Sequence, residues 1–377
     1  MRDIQMVDLK IQYEKIGTEI DIAIKSVLNS TAFIKGPEVK IFEEELQSYM
    51  GVKHVISCAN GTDALQIALM ALGLKPGDEV ITTDFTFIAT VEVVALLGLN
   101  LVIVDPEEDS FNISPDAIKK AITSKTRAIV PVHLFGQCAN MEEIMKIASD
   151  NNLLVIEDAA QVTGADYIFG DGTVKKAGTI GHIGTTSFFP SKNLGCYGDG
   201  GALYTNDDDI ANKLRSIANH GMKVRYYHND IGVNSRLDTI QAAILSVKLR
   251  YLNLYNAARK AVASFYDDAL SGQKDIRVPA RVSYSSHIFH QYTIRLENGK
   301  RQELKDFLET KRIPSMIYYP VPLHMQEAYS YLGYKAGDFP VTEMLCREVI
   351  SLPMYPELDQ EQLGYITTNV LKFFEKQ

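Results

Sequence analysis

The sequence predicts an α/β protein with a large domain on a mostly parallel sheet and a smaller α+β domain at the C-terminus. Between residues 54 and 158, short apolar strands alternate with helical patterns, which is typical of a parallel sheet covered by helices. After residue 250 the pattern changes to a long helix, an alternating strand and two further helices. We therefore expect one domain over residues 1–250 and another over residues 251–377.

Composition and charge exclude several classes of protein. The chain has 377 residues, 46% of them hydrophobic, and a net charge of −9, which argues against a non-specific nucleic-acid binder but leaves room for a small anionic ligand. Its 4 cysteines are scattered without CxxC spacing, as expected for reduced thiols rather than disulfides or a metal site. Neither an N-terminal signal region nor an apolar run long enough for a bilayer is evident, so we expect a soluble, cytoplasmic protein.

The first elements lead to a turn that suits a phosphate. Two helical patterns, Tyr13–Leu28 and Val39–Tyr49, precede the apolar strand His54–Cys58. Asn60-Gly61-Thr62 then joins this strand to a helix over Ala64–Leu72, where free N–H groups and the positive end of the helix meet. Gly61 permits close approach of a ligand and Thr62 adds a hydroxyl donor. The alternative is a simple helix cap.

The next strands end in residues that carry chemistry. Strands are predicted at 79–82, 101–104, 128–132 and 153–158, and helices at 89–97 and 141–149. Ligands of such sheets bind beyond the carboxyl ends of the strands, where Phe87, His133, Asp158 and Gln161 lie. Asp158 follows a strongly apolar run, so its carboxylate needs a cationic or hydrogen-bonding partner. It could otherwise cap the next segment.

Lys192 lies in the most informative stretch, Thr186–Thr205. Ser187–Phe189 before it and Gly200–Tyr204 after it have the pattern of buried strands, and several glycines allow tight turns. Desolvation lowers the pKa of a lysine, and the neutral amine condenses with aldehydes. The alternative is a solvated loop lysine.

These features together match the needs of pyridoxal 5'-phosphate (PLP). Its aldehyde requires a lysine (Lys192), its ring nitrogen a carboxylate (Asp158), and its flat ring an aromatic face (Phe87). Its phosphate requires N–H and hydroxyl groups, which the turn at Gly61 and Ser187 supply. The sequence therefore predicts a PLP site, and we expect no metal ion.

The sequence resembles the DegT/DnrJ/EryC1/StrS sugar aminotransferases, which belong to the fold type I group of PLP enzymes. The resemblance covers nearly the whole chain. It is strongest in five ordered segments: CANGTDALQIAL, PVHLFGQ, VIEDAAQ, SFFPSKNLGCYGDGGALYTND and GVNSRLDTIQAAIL. Five such segments at family-like spacing form a specific signal.

The resemblance implies a role for each matching residue. Lys192 is the lysine that forms the aldimine, and Asp158 pairs with the pyridine nitrogen. Gln161 lies near the ring hydroxyl and Phe87 stacks on the ring. The phosphate is bound by Gly61, Thr62 and Ser187 and, from the neighbouring subunit, by Asn234. A homodimer with shared active sites is therefore implied, and a lysine at 192 implies amination rather than dehydration.

The expected substrate is a nucleotide-linked keto sugar, with glutamate as the amino donor. A basic, aromatic stretch precedes Asn234 and is a candidate clamp for a diphosphate or, alternatively, a solvated loop; it comprises His220, Lys223, Arg225, Tyr226 and His228. Tyr319 and His324 match the segment that closes over the sugar in relatives, although His324 could be a packed loop histidine.

The resemblance favours the branch that aminates C3 of UDP-2-acetamido-2-deoxy-3-oxo-glucuronate for bacterial surface polysaccharides, including lipopolysaccharide. Arg236 could bind the uronate carboxylate with two hydrogen bonds, or could serve the subunit interface. The alternatives are a dTDP-3-oxo-6-deoxyhexose aminotransferase and a non-catalytic, PLP-binding regulatory relative.

Overall fold

A computed structural model describes residues 2–297 and 299–375. Its α-helices are α1 (Leu9–Ser30), α2 (Pro37–Met50), α3 (Gly61–Ala71), α4 (Ala89–Leu96), α5 (Pro115–Ala121), α6 (Met141–Asp150), α7 (Asp208–Ala218), α8 (Thr239–Leu249), α9 (Leu252–Leu270), α10 (Arg301–Thr310), α11 (Pro340–Glu348) and α12 (Gln360–Glu375). Its strands are β1 (His54–Cys58), β2 (Glu79–Thr83), β3 (Asn100–Val104), β4 (Thr126–Val130), β5 (Leu154–Asp158), β6 (Asp166–Ile168), β7 (Val174–Lys176), β8 (Ile183–Ser187), β9 (Gly201–Thr205), β10 (Met222–Val224), β11 (Tyr227–His228), β12 (Ile276–Arg277), β13 (Tyr292–Leu296) and β14 (Val349–Leu352).

The main sheet has 7 strands in the order β1-β9-β8-β5-β4-β2-β3. Strand β9 runs antiparallel to both of its neighbours, and β8, β5, β4, β2 and β3 are mutually parallel. Strand β1 is antiparallel to β9 and therefore runs in the same direction as β8. As a result, the carboxyl ends of β1, β2, β5 and β8 lie at the same edge of the sheet, where a ligand site is expected. The predicted α/β architecture with a large, mostly parallel sheet is confirmed.

Local chemistry sets the helix starts near this edge. Asn60 is the N-cap of α3, because its side-chain oxygen accepts a hydrogen bond from the N–H of Asp63 at 2.7 Å. The helix therefore starts at Gly61, three residues before the predicted start at Ala64. Gly61 and Thr62 thus occupy the first turn of a helix that follows directly on β1, which places their N–H groups at its positive end.

A second, smaller sheet pairs β12, β13 and β14 in antiparallel fashion, and α9, α10 and α12 pack on it. Its core contains the fully buried rings of Tyr266 and Tyr292. Ile4 and Val7, near the N-terminus, also pack against this core. The division at residue 250 stays a prediction. Among the described residues, no helix has the length and apolar character needed to cross a bilayer.

The predicted strand Ser187–Phe189 is wrong beyond its first residue. Strand β8 ends at Ser187, which pairs with Gly201 of β9. Phe188 is buried, but Phe189 is 52% exposed and its carbonyl accepts a hydrogen bond from the N–H of Lys192 at 2.8 Å. The chain therefore leaves the sheet in a turn, and Lys192 lies on that turn at the edge where β5 also ends.

Candidate active site

The turn after β1 and the end of β8 meet at very short range. A Cβ atom placed on Gly61 would lie 2.7 Å from Cβ of Ser187, closer than real Cβ atoms pack. Only glycine therefore fits at position 61 without a shift of β8. Asn60 uses the N–H groups of Asp63 and Ala64, which leaves those of Gly61 and Thr62 at the open end of α3. This arrangement can bind a phosphate group.

Asp158 is buried at the end of β5, with both carboxylate oxygens hydrogen-bonded. Oδ2 accepts from the hydroxyl of Thr90 at 2.8 Å, and Oδ1 accepts from the N–H of Ala160 at 3.2 Å. Burial raises the pKa of this carboxyl group; the two hydrogen bonds and the Lys192 ammonium oppose that rise. Thr90 was not predicted from sequence, although its hydroxyl lies in the first turn of the largely apolar helix α4.

Lys192 has the properties of a nucleophilic lysine. Desolvation by the surrounding protein lowers its pKa to about 8, against the opposing influence of Asp158. Within the part of the chain that the structure describes, its Nζ makes no hydrogen bond or ion pair with a side chain. Because its pKa is lowered, this amine has a far larger neutral fraction near physiological pH than an ordinary lysine, and the neutral form can attack a carbonyl carbon.

The aromatic rings of Phe87 and Tyr319 lie on the Asp158 side of the site. The ring of Phe87 is 55% exposed, and its centroid lies 6.3 Å from that of Tyr319. Gln161 links to the same tyrosine, because its Nε2 donates to the Tyr319 hydroxyl at 3.3 Å while its Oε1 accepts from the N–H of Phe135 at 2.8 Å. Three residues predicted separately, Phe87, Gln161 and Tyr319, therefore lie in one neighbourhood.

His324 is buried away from the open part of the site. Its Nδ1 lies 2.5 Å from Oδ2 of Asp84, and its backbone N–H donates to Oδ1 of the same residue at 2.8 Å. Its Nε2 is 3.5 Å from Glu343. With 3% of its surface exposed, His324 matches the packed-loop alternative rather than direct contact with a sugar.

The predicted diphosphate clamp is an exposed hairpin formed by β10 and β11. Arg225, Tyr226 and His228 are all exposed, and the guanidinium of Arg225 lies 5.0 Å from the Tyr226 ring centroid. His228 Nδ1 pairs with the carbonyl of His220 at 2.8 Å. Within the described residues of one chain, no hydrogen bond, ion pair or ring contact joins this hairpin to Lys192.

Asn234 and Arg236 follow the hairpin. Asn234 is exposed, and it bridges to Asn219 at the end of α7. Arg236 is half-buried and lines a cavity of about 280 Å³ together with Lys35 and Arg215. The side chain of Asn234 is therefore exposed in the single chain, and Arg236 shares its cavity with basic side chains and with the carboxylate of Glu43.

The residues present fit PLP. Lys192 offers an amine without a hydrogen-bonding side-chain partner in the described structure, Phe87 offers an exposed ring face, and the junction of Gly61 and Ser187 offers N–H and hydroxyl groups where a side chain would clash. A lysine, a carboxylate and a phosphate cradle at the carboxyl edge of this sheet define a PLP-dependent enzyme of fold type I.

Comparisons with known proteins agree with this class. Residues 14–371 match the model of the DegT/DnrJ/EryC1/StrS aminotransferase family. The chain is 47% identical to a pleiotropic regulatory protein of Geobacillus stearothermophilus, over 99% of each chain. It is 46% identical to a UDP-2-acetamido-2-deoxy-3-oxo-D-glucuronate aminotransferase of Pseudomonas aeruginosa, over 96% of this chain and 98% of that one. The crystal structure of S. venezuelae DesV in complex with a ketimine intermediate is similar with a TM-score of 0.95, at 38% identity over 100% and 99% of the two chains.

The chain belongs to the DegT/DnrJ/EryC1/StrS aminotransferase family. The predictions of an aminotransferase and of PLP as its cofactor are thereby confirmed. The roles of the individual site residues stay predictions.

Proposed function

We propose that the protein transfers an amino group from glutamate to the C3 keto group of a nucleotide-linked sugar, with Lys192 and Asp158 at its centre. When bound, PLP supplies an electron-accepting ring that stabilises the charge left after proton removal next to the amino group. The single observation that carries the proposal is the desolvated Lys192 amine beside the buried Asp158 carboxylate at one edge of the sheet.

Each residue then has a task. Lys192 would hold the cofactor aldehyde through its neutral amine, the aldehyde oxygen leaving as water, and once released it would carry a proton to and from the reacting carbon as general base and acid. Asp158 provides the negative charge that keeps the ring nitrogen protonated. Gly61, Thr62 and Ser187 bind the phosphate, while Phe87 and Gln161 hold the ring in place.

The favoured substrate is UDP-2-acetamido-2-deoxy-3-oxo-glucuronate, on the way to a bacterial surface polysaccharide such as lipopolysaccharide. The 46% identical relative from P. aeruginosa carries that substrate in its name. Arg236 supports an anionic substituent on the sugar, because an arginine can bind a carboxylate with two parallel hydrogen bonds. A cytoplasmic location follows from the need for nucleotide sugars and glutamate.

Two alternatives have specific support. A relative from Streptomyces venezuelae, 38% identical, is named a dTDP-3-amino-3,4,6-trideoxy-alpha-D-glucose transaminase, which favours an uncharged deoxysugar. The relative from G. stearothermophilus is named a regulatory protein, which favours a non-catalytic role. The presence of both Lys192 and Asp158 argues against the second alternative.

A two-stage assay separates these functions. Protein loaded with PLP is first mixed with glutamate. Loss of the visible absorbance band of the bound PLP supports an enzyme, whereas an unchanged band supports the non-catalytic regulator. The protein, whose cofactor now carries the amino group, is then given one of two substrates. These are the UDP-linked 3-oxo uronate, generated in the same tube by a dehydrogenase, and a dTDP-linked 3-oxo-6-deoxyhexose. We expect Arg236→Met to reduce use of the uronate on the order of 100-fold. Exclusive use of the deoxyhexose would overturn the uronate proposal.

We propose further that the enzyme is a homodimer in which Asn234 serves the neighbouring site. Its exposure in the single chain supports this role. Mixing and refolding two inactive variants, Lys192→Ala and Asn234→Ala, should restore about a quarter of the wild-type activity, because half of the dimers then contain one intact site. No regain of activity in proven mixed dimers would place Asn234 and Lys192 in the same subunit's site.

A further inference from the structure

Lys248 is a buried lysine outside the site described above. It lies on α8, 2% of its surface is exposed, and its Nζ donates a hydrogen bond to the carbonyl oxygen of Gly195. The same Nζ lies 4.8 Å from the centroid of the Tyr197 ring. Among the described residues it has no carboxylate within ion-pairing distance. A buried cation without a carboxylate is costly, so the contact with Gly195 needs an explanation.

Gly195 belongs to the turn that carries Lys192. This turn leaves β8 after Ser187 and returns where the N–H of Cys196 bonds to the carbonyl of Phe188 at 2.8 Å. Gly195 packs so closely that an added Cβ would lie 2.5 Å from the carbonyl oxygen of Pro190. The backbone of this turn is therefore compact, and a shift of Gly195 would move the neighbouring Lys192.

Helix α8 also hydrogen-bonds to Tyr197, two residues after Gly195. The side chain of Gln241, two helical turns before Lys248, accepts from the N–H of Tyr197 at 2.8 Å and donates to the Tyr197 carbonyl at 3.2 Å. On the opposite side, Asn193 donates to Asn256 of α9 at 2.7 Å. Side chains of α8 therefore hydrogen-bond to the backbone after Lys192, and α9 hydrogen-bonds to the side chain of Asn193, while the Lys192 amine has no hydrogen bond to any described side chain.

We propose that Lys248 is a positioning residue that fixes the Gly195 carbonyl and thereby aims the Lys192 amine at the cofactor aldehyde. This inference rests on the proposed role of Lys192. An apolar side chain at 248 leaves a buried carbonyl oxygen without its partner, and the turn relaxes to find another donor. A displacement of the attacking atom by about 1 Å lowers the rate of a positioned reaction by on the order of 100-fold.

The test uses Lys248→Met, which keeps the length of the side chain but removes its donor, and Lys248→Gln, which keeps a donor without the charge. Cofactor-free protein is mixed with PLP, and the rate at which the visible band of the covalent adduct appears is recorded, together with kcat and KM for glutamate. We expect Lys248→Met to slow attachment and lower kcat by about 10- to 100-fold with KM little changed. Lys248→Gln should recover at least part of both losses.

The controls distinguish positioning from loss of stability. Lys25→Met removes an exposed lysine and should leave the attachment rate unchanged, and melting temperatures of the cofactor-free variants report stability separately. If Lys248→Met does not fold, Gln241→Leu tests the same turn and should also slow attachment. Attachment at the wild-type rate in whichever of these two variants folds overturns the inference. If wild-type protein forms no adduct on Lys192, the proposed function itself fails.

Discussion

The hydroxyl group of Thr90 donates a hydrogen bond to Oδ2 of Asp158 at 2.8 Å, inside the protein at the end of β5. Thr90 lies on α4 in the segment that follows Phe87, so this bond ties the aromatic side of the site to its carboxylate. Because a hydrogen bond to the ionised form favours ionisation, it partly offsets the rise in the Asp158 pKa that burial causes.

Replacement of Thr90 by valine keeps the shape of the side chain and removes this bond. We expect the pKa of Asp158 to rise further, so that a higher pH is needed to ionise it. The acid limb of the profile of kcat/KM against pH should therefore move to higher pH, with a greater loss of activity in mildly acidic than in alkaline buffer. Thr90→Ser, which keeps the hydroxyl, should restore the original limb. An equal loss at every pH would argue against the role of this bond.

The junction of Gly61 and Ser187 predicts a loss of cofactor binding in Gly61→Ala. The new methyl group would lie 2.7 Å from Cβ of Ser187, and the required shift of two phosphate-binding segments costs about 1–3 kcal/mol. The dissociation constant for PLP, measured by titration of cofactor-free protein, should rise by about tenfold or more. Gly272→Ala is the matched control, because a Cβ there meets no atom within 4 Å. Equal affinity in both variants would contradict the close approach.

The two phenylalanines after β2 should separate binding from stability. Phe87 is 55% exposed, so Phe87→Leu should leave the melting temperature of cofactor-free protein nearly unchanged while weakening PLP binding by about 2- to 10-fold through lost stacking. Phe85 is 1% exposed and packs against Phe111, Phe135 and Tyr319. Phe85→Leu should therefore destabilise the protein by about 1–3 kcal/mol. A lower melting temperature of Phe87→Leu with unchanged PLP binding would show that Phe87 is a packing residue.

Lys192 should make the cofactor-free protein less stable at neutral pH. Its pKa in the folded protein is about 8, against 10.5 in the unfolded chain. Folding therefore costs free energy at every pH where the lysine of the unfolded chain is protonated, because protonation is less favourable in the folded protein. This cost in folding free energy is complete below a pH of about 8 and disappears above pH 10.5.

We expect Lys192→Met to raise the free energy of unfolding at neutral pH by about 3 kcal/mol, because one pKa unit corresponds to about 1.4 kcal/mol. The gain should shrink as the pH rises from about 8 towards 10.5. Urea unfolding of both proteins over this range measures the difference, and Lys25→Met, at an exposed site, should show no such gain. A gain that does not change with pH would mean that Lys192 is not desolvated.

Six of the 7 strands of the main sheet were predicted from the sequence, whereas the predicted strand Ser187–Phe189 overlaps β8 only at Ser187. Alternating apolar segments predicted β1 to β5 within two residues at each end, because strands buried by helices on both faces are short and almost purely apolar. Helices α5, α7, α8 and α11 were missed. Helix α8 is apolar on nearly every side because it is packed against α1 and α2, so it lacks the periodicity of a half-exposed helix.

The parts of the site that sequence could not predict depend on tertiary contacts. Thr90 and Lys248 look like ordinary helix residues, and only the packing of α4 and α8 brings them to Asp158 and Gly195. His324 was a candidate for substrate contact because its segment matches the one that closes over the sugar in relatives, yet its hydrogen bonds to the buried carboxylate of Asp84 keep it in the interior. A sequence carries no local signal for a partner that lies 240 residues away.

Borohydride reduction of the PLP-loaded protein tests the central claim most directly. Reduction converts a covalent link between an amine and the cofactor aldehyde into a stable bond, and peptide mass spectrometry then identifies the modified lysine. We expect one modified lysine, Lys192, and no stable adduct in Lys192→Ala. An adduct on another lysine of the native protein, or none at all, would contradict it.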